Sequence, residues 1–391
     1  MAFHDTLKEL GERIRAQRLR EGLTTAEIEE RLILGPGWVT FIESGDGLGR
    51  INLSLLLAML DTLNLAPSDW LRRVSIKGSA SEVRRALFGI PTRTGIDIHF
   101  DYTHFDAVYP IPSASLEQLE AVLKTLRDGL AGLAGNVLGG DEDSLTKAVK
   151  SGAVERAFWS AMRAWPKMNP TDIWGFVIAR AYLDTFNHPA SFARGDLAQS
   201  WKRTGGWALE KILVSHYGPF LARKGIKLYI PPPTRKSALL DPIRPRVQTR
   251  LEADKVDVFL TSERQGREIC FGVVHVKNSF AERRTDDVDM SRALVRAGYV
   301  SPLWTMDCKS WPSIRPTHRG ELGNPLPAKR TAKRIDIEDD LYFSACFSYN
   351  RNTIPTPTAP LTNGRIVVCD FSNAEDAFSE FIIEGWRQFS S

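Results

Sequence analysis

Lys255-Val256-Asp257-Val258-Phe259-Leu260, followed after a polar turn at 262–266 by Glu268-Ile269-Cys270-Phe271-Gly272-Val273-Val274-His275-Val276-Lys277, is the stretch on which the fold turns. Both runs are short, rich in Val, Ile and Phe, and bounded by turn residues, which predicts the two arms of a β-hairpin. Each arm carries one charge among apolar neighbours, Asp257 on the first and Lys277 on the second. A charge in such a setting is costly alone, so it is paired, metal-bound or placed at a strand end. Upstream, 206–224 reads as an amphipathic helix closed by Gly225, with a strand at 227–230. Downstream come a helix at 287–298 and a strand at 303–306. Helix, strand, hairpin, helix, strand together predict a mixed β-sheet flanked by helices.

An acid and a lysine converging where two strands diverge suit phosphodiester hydrolysis. The carboxylate can hold Mg²⁺ against the scissile phosphate and lower the pKa of bound water. The lysine can position that water or offset charge developing on phosphorus. The two residues by themselves favour a plain ion pair, and it is their surroundings that shift the reading.

At 391 residues the chain has room for two or three domains. Its 43% hydrophobic and 25% charged content excludes wholesale disorder. No apolar run approaches the ~20 residues needed to span a bilayer, and the charged N-terminus MAFHDTLKELGERIR lacks a signal-peptide core. A cytoplasmic protein of prokaryotic type, without membrane contact, is the expectation. Cys270, Cys308, Cys346 and Cys369 are far apart with no CxxC pair, which excludes a zinc ribbon and predicts free buried thiols. Residues 201–300 carry 19 Lys/Arg against 11 Asp/Glu, whereas residues 1–50 carry 7 against 9. The positive field therefore lies in the second half, where a polyanion partner is expected.

The first 75 residues predict five short helices. Leu7, Leu10, Ile14 and Leu19 recur at helical spacing, and Thr24-x-x-Glu27 is a capping box opening the second helix. A Leu34-Gly35-Pro36-Gly37 turn leads to a third helix at 38–44, stopped by Gly45. The segments LGERIRAQRLREGLTTAEIEERL, WVTFIESG and LLLAMLDTLNLAPSDWL resemble the lambda-repressor-like helix-turn-helix family. That resemblance implies base contacts from the start of the third helix, where Thr40 is the polar candidate. The domain's acidic balance makes a protein-contact or dimerisation role an equal alternative. Residues 77–195 are expected to be mostly helical, with helices at 115–133, 144–165 and 172–186 after an extended, turn-rich segment at 95–112. They carry no recognisable chemistry.

The order of Glu210 on a helix, Asp257 on a strand and Val274-His275-Val276-Lys277 on the next resembles the PD-(D/E)XK nuclease fold over about 200–310. Here His275 occupies the position of that family's second acid. In the type II restriction endonucleases cutting CCGG and CCNGG sites, that position is also non-acidic. A carboxylate from the following helix replaces it, and an Arg-(Asp/Glu)-Arg motif reads C·G pairs. The resemblance implies catalytic roles for Asp257 and Lys277, with Asp257, Asp289 and Glu210 as metal carboxylates and Asp286 behind Asp289. It implies base contacts by Glu282 and Arg283, with Ala281 in place of the motif's first arginine, beside Arg284. Lys202, Arg203, Arg244, Arg246, Lys329, Arg330, Lys333 and Arg334 are candidates to follow the DNA backbone. Residues 348–353 are a candidate base-reading loop.

The expected organisation is thus a helix-turn-helix domain at 1–76, a mostly helical region at 77–195 and a catalytic domain at 196–391. The expected activity is that of a type II restriction enzyme: Mg²⁺-dependent (Mn²⁺ also possible), sequence-specific cleavage of double-stranded DNA by a homodimer or higher homo-oligomer. The alternatives are a DNA-binding regulator with an inactive nuclease-like domain and a repair or branched-DNA nuclease.

Overall fold

The computed structural model describes residues 2–48, 51, 53–70, 85–102, 105–131, 142–183, 197–247, 251–278, 284–308, 320–326, 329–357 and 364–391. Its N-terminal part forms five helices, α1 (Ala2–Arg20), α2 (Thr25–Arg31), α3 (Trp38–Glu43), α4 (Leu53–Thr62) and α5 (Pro67–Trp70). The capping box forms: the Glu27 amide donates to the Thr24 hydroxyl at 3.2 Å, and the Thr24 amide donates to the Glu27 carboxylate at 2.7 Å. Gly37, at φ +86°, swings the chain into α3. Leu10, Ile14, Ile28, Val39, Ile42, Met59, Leu63 and Trp70 bury together as a small separate core. Within it Arg18 grips Glu43 through two hydrogen bonds of 2.5 and 3.0 Å, a bidentate pair that fixes α1 against α3.

The middle region is extended at 95–112 as expected and adds one strand ahead of that segment. It opens with an antiparallel three-stranded meander, β1 (Arg85–Pro91), β2 (Gly95–Tyr102) and β3 (Phe105–Pro112), paired in that order. β1 escapes pattern reading because Leu87 points to the core while Phe88 and Ile90 are exposed, so apolar residues occupy both faces. Three helices follow near their expected positions, α6 (Leu116–Ala131), α7 (Glu142–Ala164) and α8 (Pro170–Leu183).

Helix α9 (Leu197–Arg223) then leads to β4 (Ile226–Tyr229) and the short α10 (Pro233–Leu240). The hairpin consists of β5 (Val258–Arg264) and β6 (Arg267–Lys277). It is tighter than expected: Gln265 and Gly266 both adopt positive φ, so a two-residue turn suffices and 262–264 remain paired. The first arm also starts later, because 253–255 form a single 3-10 turn and Asp257 precedes the strand. Beyond the hairpin lie α11 (Arg284–Arg296), β7 (Leu303–Thr305), α12 (Ala332–Glu338), β8 (Cys346–Ser348), β9 (Ile366–Val368) and α13 (Ala377–Ser390). The six strands are ordered β4-β5-β6-β7-β8-β9, antiparallel as far as β6 and parallel from there.

Pairing in the hairpin slips by one residue: Leu260 faces Gly272 but Thr261 faces Cys270, leaving Phe271 as a β-bulge. The extra residue reverses the inward and outward alternation of β6. Phe271, Val274 and Val276 consequently join one core with Val258 and Leu260, while Cys270 and Val273 join another with Phe259. Gly272 permits this. A Cβ there would collide with the Val300 carbonyl oxygen, across the close approach where the Val273 amide donates to that same oxygen at 2.9 Å.

Helices cover both faces. Leu209, Ile212 and Tyr217 of α9 and Phe378 and Ile382 of α13 pack with Val258, Val274, Trp304 and Phe347. On the opposite face Leu239 and Leu240 of α10 and Met290 and Leu294 of α11 pack with Phe259 and Val273. The first of these clusters extends without a break to Leu87, Ile98 and Phe158, so the meander and α6–α8 share a core with the sheet. Each such buried side chain contributes ~1.5–3 kcal/mol of transfer free energy. Among the described residues no helix is long and apolar enough to cross a membrane.

Candidate active site

Because β5 and β6 are antiparallel, the start of one and the end of the other share an edge of the sheet. Asp257 stands just before β5, and its Oδ2 accepts from the Val276 amide at 2.8 Å and from Lys277 Nζ at 3.0 Å. The two side chains keep 17% and 21% of their surface exposed, so the pair is sheltered yet open to a ligand. The register Lys277–Thr305–Ser348 brings the carboxyl ends of β6, β7 and β8 to this same edge. Open α/β sheets take their ligands there.

A second carboxylate comes from α9, where Glu210 follows the buried Ala208 and Leu209. Burial, reinforced by the negative charge of Asp257, pushes the Glu210 carboxyl up to about 7, while Lys147, Lys236 and Lys277 pull it back down. Lys236 of α10 donates to the Val256 carbonyl at 2.6 Å, directly before Asp257. Lys147 of α7 lies 4.6 Å above the ring of Trp207, one helical turn from Glu210. Two carboxylates and three ammonium groups thus gather at one edge.

His275, in the position of the family's second acid, is fully buried. Its Nε2 shares a 3.0 Å hydrogen bond with Ser301 Oγ, which meets Ser291 Oγ of α11 at 2.8 Å, and its ring edge contacts Phe343. It is a core residue that ties α11 to the sheet. Asp289 is exposed, because Val288, Met290, Ser291 and Leu294 take the buried side of α11. Among the described residues no three His, Cys, Asp or Glu side chains converge as a metal cluster. Glu282 and Arg283 lie outside the described residues, as do the side chains of Lys202, Arg203, Arg284, Asp286 and Asp287. Thr40 is exposed on α3.

In the basic run at 329–334 Lys329 is exposed, and three of the other cations are held by the protein itself. Arg334 is wholly buried and bonded to Glu338 and the Leu322 carbonyl, Arg330 is paired with Asp339 and Glu338, and Lys333 with Glu321. Of the other arginines, Arg244 is exposed but paired with Asp241, while Arg246 is exposed. In the candidate reading loop, Asn350 and Arg351 are bonded within the protein while Arg351 and Asn352 remain exposed. Asn350 is buried between the Asp307 carbonyl and Asn169, and Arg351 reaches the carbonyls of Pro166 and Lys167.

Sequence reasoning missed Lys147, Lys236 and Asp307. The Asp307 carboxylate, directly after β7, accepts from the amides of Glu321 and Leu322 at 2.6 and 3.1 Å and from the Thr353 hydroxyl at 2.5 Å. Burial outweighs those bonds and pushes its carboxyl up to about 6. Nothing in the sequence marks the two lysines, since their meaning comes from helices separated from Asp257 by tens of residues.

No profile of a known protein family matches the chain. It is 38% identical over 242 residues to the type II restriction enzyme AgeI of Thalassovita gelatinovora, an alignment spanning 59% of this chain and 82% of that enzyme. It also resembles the crystal structure of the specific AgeI–DNA complex, with a TM-score of 0.58 and 32% identity over 74% of this chain and 99% of that one. A pre-specific BsaWI–DNA complex aligns at a TM-score of 0.34 and 16% identity, over 70% of this chain and 94% of the other.

Proposed function

This chain belongs to the type II restriction enzymes, and we propose on that footing that the edge holding Asp257, Lys277 and Glu210 is its hydrolytic centre. It is a sequence-specific DNA endonuclease. The observation that carries the assignment is the 3.0 Å approach of Lys277 to Asp257 at the carboxyl end of β6, with Glu210 within electrostatic reach of both. In PD-(D/E)XK terms these are the first acid, the lysine and the helix acid, with His275 withdrawn into the core.

The donor set suits Mg²⁺ or Mn²⁺. Both carboxylates offer hard oxygens, and Mg²⁺ is commonly held by one or two carboxylates together with substrate phosphate. That ion would supply Lewis acidity toward the phosphate and a more acidic bound water. The protein's own contribution is orientation. The Val276 amide fixes Oδ2 of Asp257, and Lys277 brings a positive charge to where the phosphorane gathers negative charge. Burial favours the protonated form of Glu210, and a bound cation would favour the ionised one. Asp289 has only its spacing in its favour.

Glu282 and Arg283, between the end of β6 and α11, and Arg284, the first residue of α11, are proposed base-reading residues: arginine suits guanine and glutamate the cytosine amine. Lys202 and Arg203 at the start of α9 are proposed phosphate contacts. Residues 1–76 are proposed as a lambda-repressor-like domain, supported by the Thr24 capping box and the Gly37 turn into α3, with the exposed Thr40 as its base contact. Residues 77–195 and 196–391 complete the proposed division, although their core is continuous. Cutting both strands of a symmetric site suits a homodimer.

Plasmid cleavage tests the reading. Mg²⁺ should yield discrete fragments, EDTA should abolish them and Mn²⁺ should restore them. An undiminished yield in EDTA removes the metal from the proposal, and a smear in place of bands contradicts site-specific cleavage.

A further inference from the structure

Two lysines that the hydrolytic centre does not use flank it from opposite sides. Lys147 comes from α7 and is steadied over Trp207; Lys236 comes from α10 and is steadied by the Val256 carbonyl. Both act on Glu210, as does Lys277. Among the described side chains acting around Glu210, two carboxylates (Asp257 and Glu210 itself) meet three ammonium groups. An internal ion-pair network would balance.

The excess continues away from the centre on one side. Lys211, next to Glu210, donates to the Ala148 carbonyl at 3.1 Å and feels the charges of Glu155, Arg156 and Lys147. The Arg156 guanidinium and the Lys211 ammonium both approach Gly152 of α7, where a side chain would crowd them. A line of cations therefore runs along the α7–α9 seam to the catalytic edge. A basic line beside a cleft focuses the field and raises the local concentration of a polyanion.

We propose that Lys147 and Lys236 hold the backbone of the scissile strand on the two sides of the cleaved phosphate, with Lys211 and Arg156 extending the grip beyond Lys147. This rests on the assignment of Asp257 and Lys277 as the hydrolytic centre. The tethers matter: a ring beneath one ammonium and a carbonyl beside the other restrict both side chains before DNA arrives. Less side-chain freedom is then lost on binding.

The test uses the full chain, a plasmid that it cuts, and a duplex oligonucleotide spanning one mapped cut site. Lys147→Gln and Lys236→Gln should each weaken duplex binding about tenfold at 100 mM KCl in EDTA. Each should flatten the dependence of log Kd on log salt by about 0.9, the increment for one phosphate no longer neutralised. With Mg²⁺ most of the loss in cleavage should appear in KM, and Lys147→Arg and Lys236→Arg should recover most of the affinity. An unaltered salt slope in both Gln variants overturns the proposal, and so does a fall in melting temperature alone. Asp257→Asn separates the two readings. It should stop cleavage while keeping the full salt slope, so active Asp257→Asn protein removes the hydrolytic centre, whereas unaltered slopes in the lysine variants remove the grip.

Discussion

Replacing Asp257 by Asn changes one atom's identity and should separate chemistry from folding. At 3.0 Å and an effective dielectric of ~20, the Asp257–Lys277 attraction is about 5–6 kcal/mol before desolvation is counted. Both groups give up most of their hydration to make the pair, and Glu210 continues to offset Lys277 in the variant. An asparagine oxygen can also still accept from the Val276 amide. The net stability loss should therefore be only about 1–2 kcal/mol, well below the ~3–5 kcal/mol typical of breaking a fully buried pair. That corresponds to a few degrees in melting temperature for a protein of this size. Single-turnover cleavage with saturating Mg²⁺ should fall by at least ~10³-fold, or ~4 kcal/mol of transition-state stabilisation. Circular dichroism melts and timed digestion of supercoiled plasmid give the two numbers on one preparation. Cleavage within tenfold of the parent refutes the reasoning, and a melting temperature lowered by 15 °C or more would assign the pair to structure instead.

Further outcomes follow from other sites. Asp307 is raised in the folded state from 3.8 to about 6, so the fold favours its protonated form; the stability this contributes is full below about pH 4 and lost as pH rises through about 6. Asp307→Asn, which can accept from the two amides and donate to Thr353, should be more stable than the parent above pH 7 by up to ~3 kcal/mol. Equal urea midpoints for the two proteins at pH 8 would contradict this. Gly272→Ala drives a methyl into the Val300 carbonyl oxygen, and the parting of β6 from that segment should cost more than ~2 kcal/mol in denaturant titration. Arg334→Met leaves the carbonyls of Leu322, Gly323 and Ile354 without this donor and removes one of the two arginines on Glu338, and should lower stability by ~3–5 kcal/mol without altering the salt slope of DNA binding. A change in that slope would return Arg334 to the DNA surface.

The hairpin was legible because two local signals agreed: apolar runs of strand length and a charge isolated within each. The five N-terminal helices were legible for a similar reason, since capping at Thr24 and the glycine stops are encoded within a few residues of where they act. Lys333 and Arg334 misled because a cation in sequence carries no sign of its partner; Glu321 and Glu338 neutralise them through a fold that the run itself does not specify. Asn350 misled similarly, as its partners Asn169 and Asp307 are supplied by segments flanking α8 and β7. The place of Asp289 depended on the rotation of α11, which is set by Met290 and Leu294 packing on Val273 rather than by distance from Lys277.

The supernumerary Phe271 has a consequence for anyone who transplants this hairpin into another scaffold. Deleting Phe271 would restore an unbroken ladder and leave Gly272 and every later residue of β6 opposite its present partner, the lysine included, whereas deleting a residue nearer the tip would turn those between it and Gly272 to the other face. A chimaera can therefore shed the irregularity and keep the charged pair, and an alignment to an unbulged hairpin needs a one-residue gap here to place Lys277.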